Sequence, residues 1–304
     1  MAAFLITGAT GLIGQALCQR LLNNGETVFA LSRNCQKAAK ILGSQVQCFE
    51  SVDSIPADHH IDVVINLAGA PIVDKRWTDA RKQILLKSRV DYTRDLIDKL
   101  SKRSSLPHSF ISGSAVGWYG NQHDTIVTES TSFKPEFSHE LCEQWEQAAL
   151  SAESLGIRVA IVRTGLVVAP NGGFLSKMTL PFKMGLGGPI SDGQQYMPWI
   201  HLDDICRLFL FLAENRSLTG VYNGAAPRPV SNQQFSKALA KTLNRPAFFR
   251  VPSCVLKASM GEMADLLLGG QRAIPEKAQA AGFEFLYTDI QSALNDVLNS
   301  SDSK

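Results

Sequence analysis

Hydrophobic residues along this chain alternate between short continuous runs and helical stripes. Ala3–Thr7 is an apolar run ended by a glycine loop, and Ile13, Leu17 and Leu21 then recur every four residues, one face of a helix. Gly25 supplies a stop signal for that helix, and Thr27–Leu31 is apolar again. Val46–Phe49 is a weaker strand. Asp62–Leu67 is almost continuously apolar, the pattern of a parallel strand covered on both faces. The pattern then predicts a long helix over 79–101, a strand over Ser109–Ser112, a helix over 138–155 and a strand over Arg158–Arg163. A helix over Asp203–Glu214 and a strand over Val221–Asn223 follow. This alternation predicts an α/β fold, a doubly wound parallel Rossmann sheet.

The texture changes after Gly165. Residues 170–200 carry Gly172, Gly173, Pro181, Gly185, Gly187, Gly188, Pro189, Gly193 and Pro198. This reads as a long irregular segment, which compact domains usually reserve for function. From Pro227 the chain is mostly helical with short extended pieces. The expected organisation is a Rossmann domain from 1–165 and 200–226, with a smaller C-terminal α/β substrate domain from 166–199 and 227–304. The second unit is expected to act as a lid over the C-terminal edge of the sheet. The polar tail Asn299–Lys304 is expected to be disordered.

Composition narrows the function classes. The chain has 304 residues, 45% hydrophobic and 19% charged, with 30 Lys and Arg against 28 Asp and Glu. A net charge of +2 gives no global pull toward nucleic acid or an anionic membrane. No run approaches the roughly 20 apolar residues of a membrane helix. Met1-Ala-Ala lacks a basic region, and the apolar stretch behind it stops at Thr7-Gly8. Cysteines stand at 18, 35, 48, 142, 206 and 254 without a C-x-x-C pair, and are expected to be reduced thiols. His59 and His60 have no partner at ligand spacing, so a surface loop and no metal are expected there. The expectation is a cytoplasmic protein whose partner is a small molecule.

The strongest chemical signal is Thr7-Gly8-Ala9-Thr10-Gly11-Leu12-Ile13-Gly14 between the first strand and the first helix. Gly8 permits the tight turn, Gly11 admits a pyrophosphate, and Gly14 lets helix and strand pack closely. The phosphates would sit on the helix N-terminus, where free N–H groups and the dipole favour anions. The second strand ends Leu31-Ser32-Arg33, with no acid to bind ribose hydroxyls. Arg33 can instead pair with a 2′-phosphate, which points to NADP(H).

With Asn66-Leu67-Ala68-Gly69 after the fourth strand and Ser112-Gly113-Ser114-Ala115 after the fifth, the chain resembles an extended short-chain dehydrogenase/reductase. More narrowly it is similar to the YfcH-type epimerase family, sometimes labelled nucleoside-diphosphate-sugar epimerase. Asn66–Ile72, Lys75–Thr78, Ser114–Gly120, Trp145-Glu146, Arg163–Gly165, Gly185–Ile190, Trp199–Asp204 and Gly269–Arg272 carry that likeness. The resemblance implies an NADP(H)-binding Rossmann domain with a small C-terminal substrate domain, and supplies no reaction. It implies that Gly8, Thr10, Gly11, Leu12 and Ile13 wrap the pyrophosphate and Arg33 meets the adenosine phosphate. Leu67, Ala68 and Gly69 would line the cofactor near its ribose. Ser114 aligns with the serine that hydrogen-bonds the reacting hydroxyl or carbonyl.

One departure matters. Such enzymes use Tyr-x-x-x-Lys, in which the Lys lowers the Tyr pKa for proton transfer. The five tyrosines here are followed four residues later by Leu96, His123, Ile200, Ala226 and Gln291, never by Lys. Tyr119, near Ser114, is the expected substitute, with His139 and Glu143 as alternatives; a Tyr between Gly117 and Gly120 also fits a purely structural turn. Without a lysine its pKa should stay near ~10, favouring acid catalysis and carbonyl reduction. In Trp199–Asp204 an Asp is expected to cap the next helix and His201 to tie the loop to the sheet. Gln195 and Tyr196 are candidates to face a substrate, and Arg163, Lys183 and Arg272 to bind an anion. Two readings stand: an NADP(H)-dependent oxidoreductase or epimerase of a small polar substrate such as a nucleotide sugar, or a non-catalytic NADP(H) sensor.

Overall fold

The computed structural model describes residues 1–170 and 172–299. The main sheet holds β1 (Ala3–Thr7), β2 (Thr27–Leu31), β3 (Gln47–Phe49), β4 (Val63–Asn66), β5 (Ser109–Ala115), β6 (Arg158–Thr164) and β7 (Gly220–Gly224). Their order is β7-β6-β5-β4-β1-β2-β3, with every pairing parallel. The chain runs outward from β1 to β3, then returns to β4 and runs outward the other way. The switch point therefore lies between β1 and β4, where such folds bind ligands at the strands' C-terminal ends.

The helices are α1 (Leu12–Asn23), α2 (Cys35–Leu42), α3 (Asp79–Leu86), α4 (Tyr92–Ser101), α5 (Phe137–Leu150), α6 (Gly173–Lys183), α7 (Leu202–Glu214) and α8 (Asn232–Thr242), with shorter ones beyond. Leu17, Leu21 and Phe209 of α1 and α7 pack with Ile6, Val28, Ile65 and Ile111 on one sheet face. Leu96, Ile97 and Ala149 of α4 and α5 pack with Leu5, Phe29, Val64 and Phe110 on the other. Burial on both faces is why these strands read as continuous apolar runs. A further core joins Val168, Leu175, Phe182, Trp199, Phe235 and Leu294 in the expected lid. Ala278 and Phe283, however, belong to the first core, so the segment around them packs with the Rossmann unit.

Several expectations need correction. The segment 170–200 is not wholly irregular, because α6 lies within it despite Pro181; Gly172 and Gly173 at its start hid it from the pattern. The helix over 79–101 is present but interrupted by a π-helical turn at Lys87–Asp91, a feature that often marks a functional site. Cys35 and Cys48 form a disulfide rather than free thiols, since the first turn of α2 faces edge strand β3 with Cα atoms 5.4 Å apart. Cys18, Cys142 and Cys206 are free and buried, and Cys254 is free and exposed. Of the expected disordered tail, Asn299 closes the last helix and Ser300–Lys304 lie outside the described residues. No described helix is long and apolar enough to cross a membrane.

The cap of α7 also differs from expectation. His201, not an aspartate, occupies the N-cap, and its Nδ1 accepts the Asp203 N–H at 3.1 Å. Asp204, in the first turn of α7, is fully buried and accepts the N–H groups of Leu286 and Tyr287, each at 2.9 Å, pinning that segment to the helix. His201 stacks on Tyr287, and its Nε2 lies 3.3 Å from Asp296. The cap needs an unprotonated Nδ1. Burial pulls the His201 pKa down, against the opposing pull of Asp203, Asp296 and Asp204. The unfolded chain, with a pKa near ~6.5, therefore takes up this proton more readily, so stability is full above that pH and falls as pH drops toward the lower folded value. Urea midpoints at a pH above and one below this window should fall more steeply for the wild type than for His201→Asn, which keeps a capping oxygen. Parallel losses in the two proteins would show that His201 is not the titrating cap.

Candidate functional site

The ligand edge is organised by a fully buried polar cluster. Thr7 Oγ1 donates to Asn66 Oδ1 at 2.7 Å and accepts the Leu67 and Ala68 N–H groups, each at 3.0 Å. Asn66 Nδ2 donates to Thr93 Oγ1 at 2.9 Å. The loops after β1 and β4 and helix α4 are thus joined at the switch point. Gly8 has φ +66°, and a Cβ there would stand 2.6 Å from the Leu67 oxygen. A Cβ on Gly14 would collide with the Gly8 oxygen and the Ala9 backbone. Gly11 differs: its φ is −78°, and a Cβ would meet only the Gly8 oxygen, at 3.2 Å.

Gly11 is the N-cap of α1 and contributes no side-chain bond, and the first turn holds no acid. Its N–H groups, including those of Leu12 and Ile13, are therefore presented to an anion. Gly172 and Gly173, at the likewise uncapped start of α6, pack against Leu12. Thr10 shapes the loop, its carbonyl accepting Gln15 Nε2 at 2.7 Å. Arg33 lies just past β2, exposed and without a carboxylate partner among the described residues. Leu67, Ala68 and Gly69 follow β4 on the same edge. These placements bring all nine expected cofactor residues to one edge, an arrangement with room for a dinucleotide.

Ser114 lies near the end of β5, 4% exposed, and its Oγ donates to Glu146 Oε1 at 2.6 Å. Glu146, on α5, also accepts Arg163 Nε on Oε1 and Nη2 on Oε2, both at 2.8 Å. Arg163 in turn lies over the Trp118 ring, 3.4 Å from its centroid. Three buried polar side chains from β5, α5 and β6 therefore form one unit. Glu146 was readable only as part of a motif, yet it shares the buried face of α5 with Cys142 and Ala149. A charge on such a stripe signals a buried partner.

Tyr119 is placed differently from expectation. It is fully buried, its hydroxyl donates to Asn223 Oδ1 at 2.7 Å, and burial pushes its pKa up to about 12. Its hydroxyl is enclosed and already bonded, so this placement gives it a structural task rather than a proton to transfer. His139 is also held: Nδ1 lies 2.7 Å from the Trp118 oxygen and the ring stacks on Phe133. Glu143 reaches no closer than 3.6 Å to His139 Nε2. Gln195 Nε2 bonds the Ile190 and Leu267 carbonyls, and Arg272 lies over the Tyr196 ring. Lys183 lines a separate hollow with Arg245, between α6 and α8.

A glycine loop at the switch point, an open helix N-terminus and a basic residue past β2 define a Rossmann-type dinucleotide-binding protein. The chain belongs to the NAD-dependent epimerase/dehydratase family, whose model matches residues 4–224. Residues 251–297 match a domain of unknown function, DUF1731. The epimerase family protein YfhF of Bacillus subtilis is 37% identical over 96% of this chain and 97% of its own. The crystal structure of human epimerase family protein SDR39U1 with NADPH superposes with TM-score 0.87 at 31% identity, covering 98% of this chain and 99% of that one. A nucleoside-diphosphate sugar epimerase from Corynebacterium glutamicum gives TM-score 0.79 at 30% identity, covering 98% of this chain and 58% of that one.

The glycines separate ligand binding from folding. Gly11→Val meets little in the protein itself, so it should keep native circular dichroism and lose NADPH binding. Gly14→Val forces a side chain into the Gly8–Ala9 backbone and should fail to fold stably. Wild-type NADPH affinity in folded Gly11→Val would show that this loop holds no dinucleotide.

Proposed function

We propose that this protein is an NADP(H)-dependent oxidoreductase or epimerase of the extended short-chain dehydrogenase/reductase type, close to the YfcH group, acting on a small polar molecule that carries a hydroxyl. The observation that carries this reading is the hydrogen bond from Ser114 to Glu146 at the end of β5. NADP(H) supplies hydride transfer when bound. The first turn of α1 holds its diphosphate, Arg33 its 2′-phosphate, and the Leu67–Gly69 backbone its ribose.

Ser114 has one hydrogen, and Glu146 takes it. What remains on Oγ is acceptor capacity. Ser114 therefore receives a hydrogen bond from a substrate hydroxyl rather than donating one to a carbonyl. When that hydroxyl is oxidised, its proton moves to Ser114 Oγ as the serine proton moves to Glu146, and Arg163 holds the carboxylate in line. This replaces the expected carbonyl reduction by Tyr119 with alcohol oxidation, the first half of an epimerisation. Nucleotide sugars are the first substrates to test. A second reading, a non-catalytic NADP(H) sensor, is favoured by the burial of Ser114 and the enclosure of Tyr119.

A charge-assisted contact is worth roughly 1.5–3 kcal/mol, so NADPH should bind at least ~10-fold tighter than NADH, and Arg33→Ala should remove most of the difference. Fluorescence titration with both nucleotides checks this, and equal wild-type affinities would defeat it. Incubation with NADP+ and a panel of alcohols and nucleotide sugars should give turnover that drops on Ser114→Ala and on Glu146→Gln while Tyr119→Phe leaves it. Turnover indifferent to Ser114→Ala would remove the serine from the chemistry. Cofactor binding with no turnover of any substrate would favour the sensor.

A further inference from the structure

Arg89 belongs neither to the expected cofactor residues nor to the Ser114–Glu146–Arg163 unit, and its surroundings are unusual. It lies in the π-helical turn between α3 and α4. A Cβ on Gly69 would stand 2.7 Å from its guanidinium carbon, so the group lies against the Gly69 backbone. On its other side it lies 5.3 Å from the Trp145 ring centroid. Among the described residues its only hydrogen bonds are long ones from Nη1, 3.5 Å to the Leu85 carbonyl and 3.4 Å to Ser88 Oγ. Nε and Nη2 have no hydrogen-bond partner, and no carboxylate pairs with Arg89 among the described residues.

A half-buried guanidinium without a counter-ion is costly. Two further features show the same deficit. Arg81, close enough to repel Arg89, also lacks a carboxylate partner among the described residues. The Trp145 Nε1 hydrogen is buried with no acceptor among the described residues, on a residue 7% exposed. Unused donors and uncompensated positive charge thus meet beside Gly69. Cys142 interacts with both Arg89 and Ser114. In the placement proposed above the cofactor's own anions already have partners, the diphosphate on α1 and the 2′-phosphate at Arg33.

We propose that Arg89 receives an oxyanion of the substrate, a carboxylate or phosphate, and so orients the molecule toward Ser114. This rests on the cofactor placement proposed above and adds the substrate class: an anionic alcohol. The guanidinium fork suits either anion through two parallel hydrogen bonds.

The test compares wild type with Arg89→Met, which keeps the side chain's length without its charge, and Arg89→Lys, which keeps the charge without the fork. NADPH affinity is measured first by fluorescence titration and should stay within about 2-fold in both variants. Inorganic phosphate, succinate and UDP are then titrated into the NADPH-loaded proteins at constant ionic strength, followed by melting temperature and bound-NADPH fluorescence. At least one should bind the wild type, at least ~10-fold more weakly to Arg89→Met, with Arg89→Lys between. No binding of any probe to the wild type, or binding indifferent to Arg89→Met, overturns the proposal. So does a fall in NADPH affinity with probe binding intact, which would give Arg89 to the cofactor. A wild type that binds no NADPH strikes the cofactor reading instead; the probes are then titrated without nucleotide, where the same dependence on Arg89 is expected.

Discussion

The buried Thr7 hydroxyl gives its hydrogen to the buried Asn66 and takes two N–H groups, from Leu67 and Ala68. That one group fixes the turn after β1 against the turn after β4, across the switch point of the sheet. The arrangement demands a residue with one donor and two acceptor positions on a β-compatible backbone, which threonine supplies. An apolar isostere would leave the buried Asn66 oxygen without this donor, at a cost of about 1–3 kcal/mol, and strip the Ala68 N–H of its acceptor, while the Leu67 N–H would keep the Thr7 carbonyl. Everything at the ligand edge depends on this join: the close approach of Gly8 to Leu67, the open first turn of α1, and the place of Gly69 against Arg89.

A second polar unit, Ser114–Glu146–Arg163, sits at the ends of β5 and β6. Buried ion pairs are weak contributors to stability, since desolvation offsets their attraction, but losing one partner costs about 3–5 kcal/mol. Stability alone is therefore a poor reason to keep a carboxylate and a guanidinium here. In the proposed function their use is directional: Arg163 grips both oxygens of Glu146, and Glu146 sets which way the Ser114 hydrogen points. The missing Tyr-x-x-x-Lys pair then marks a different route for the proton.

Much of the sheet could be read from the chain because strands buried on both faces leave unbroken apolar runs, as at Asp62–Leu67. The glycine loop could be read because its spacing reflects backbone collisions that are local in sequence, Gly8 with Leu67 excepted. Side-chain chemistry was harder. Ser114 and Glu146 are 32 residues apart and Glu146 and Arg163 are 17 apart, so no spacing rule joins them. Tyr119 looked available beside Ser114, but its contact with Asn223 spans 104 residues. Cys35 and Cys48 meet only because β3 pairs with β2 beneath the start of α2. Helix α6 was masked by Gly172, Gly173 and Pro181, residues that argue against helix locally and are overridden by the packing of Leu175 and Phe182.

In the proposed function one edge of the sheet carries the cofactor from Arg33 to Ser114. A crystal structure of the NADPH complex tests it most directly. The expected result is the 2′-phosphate in hydrogen-bond contact with Arg33, the diphosphate over the first turn of α1, and the nicotinamide face beside Ser114. A dinucleotide bound elsewhere, or one whose nicotinamide points away from Ser114 into solvent, would contradict it.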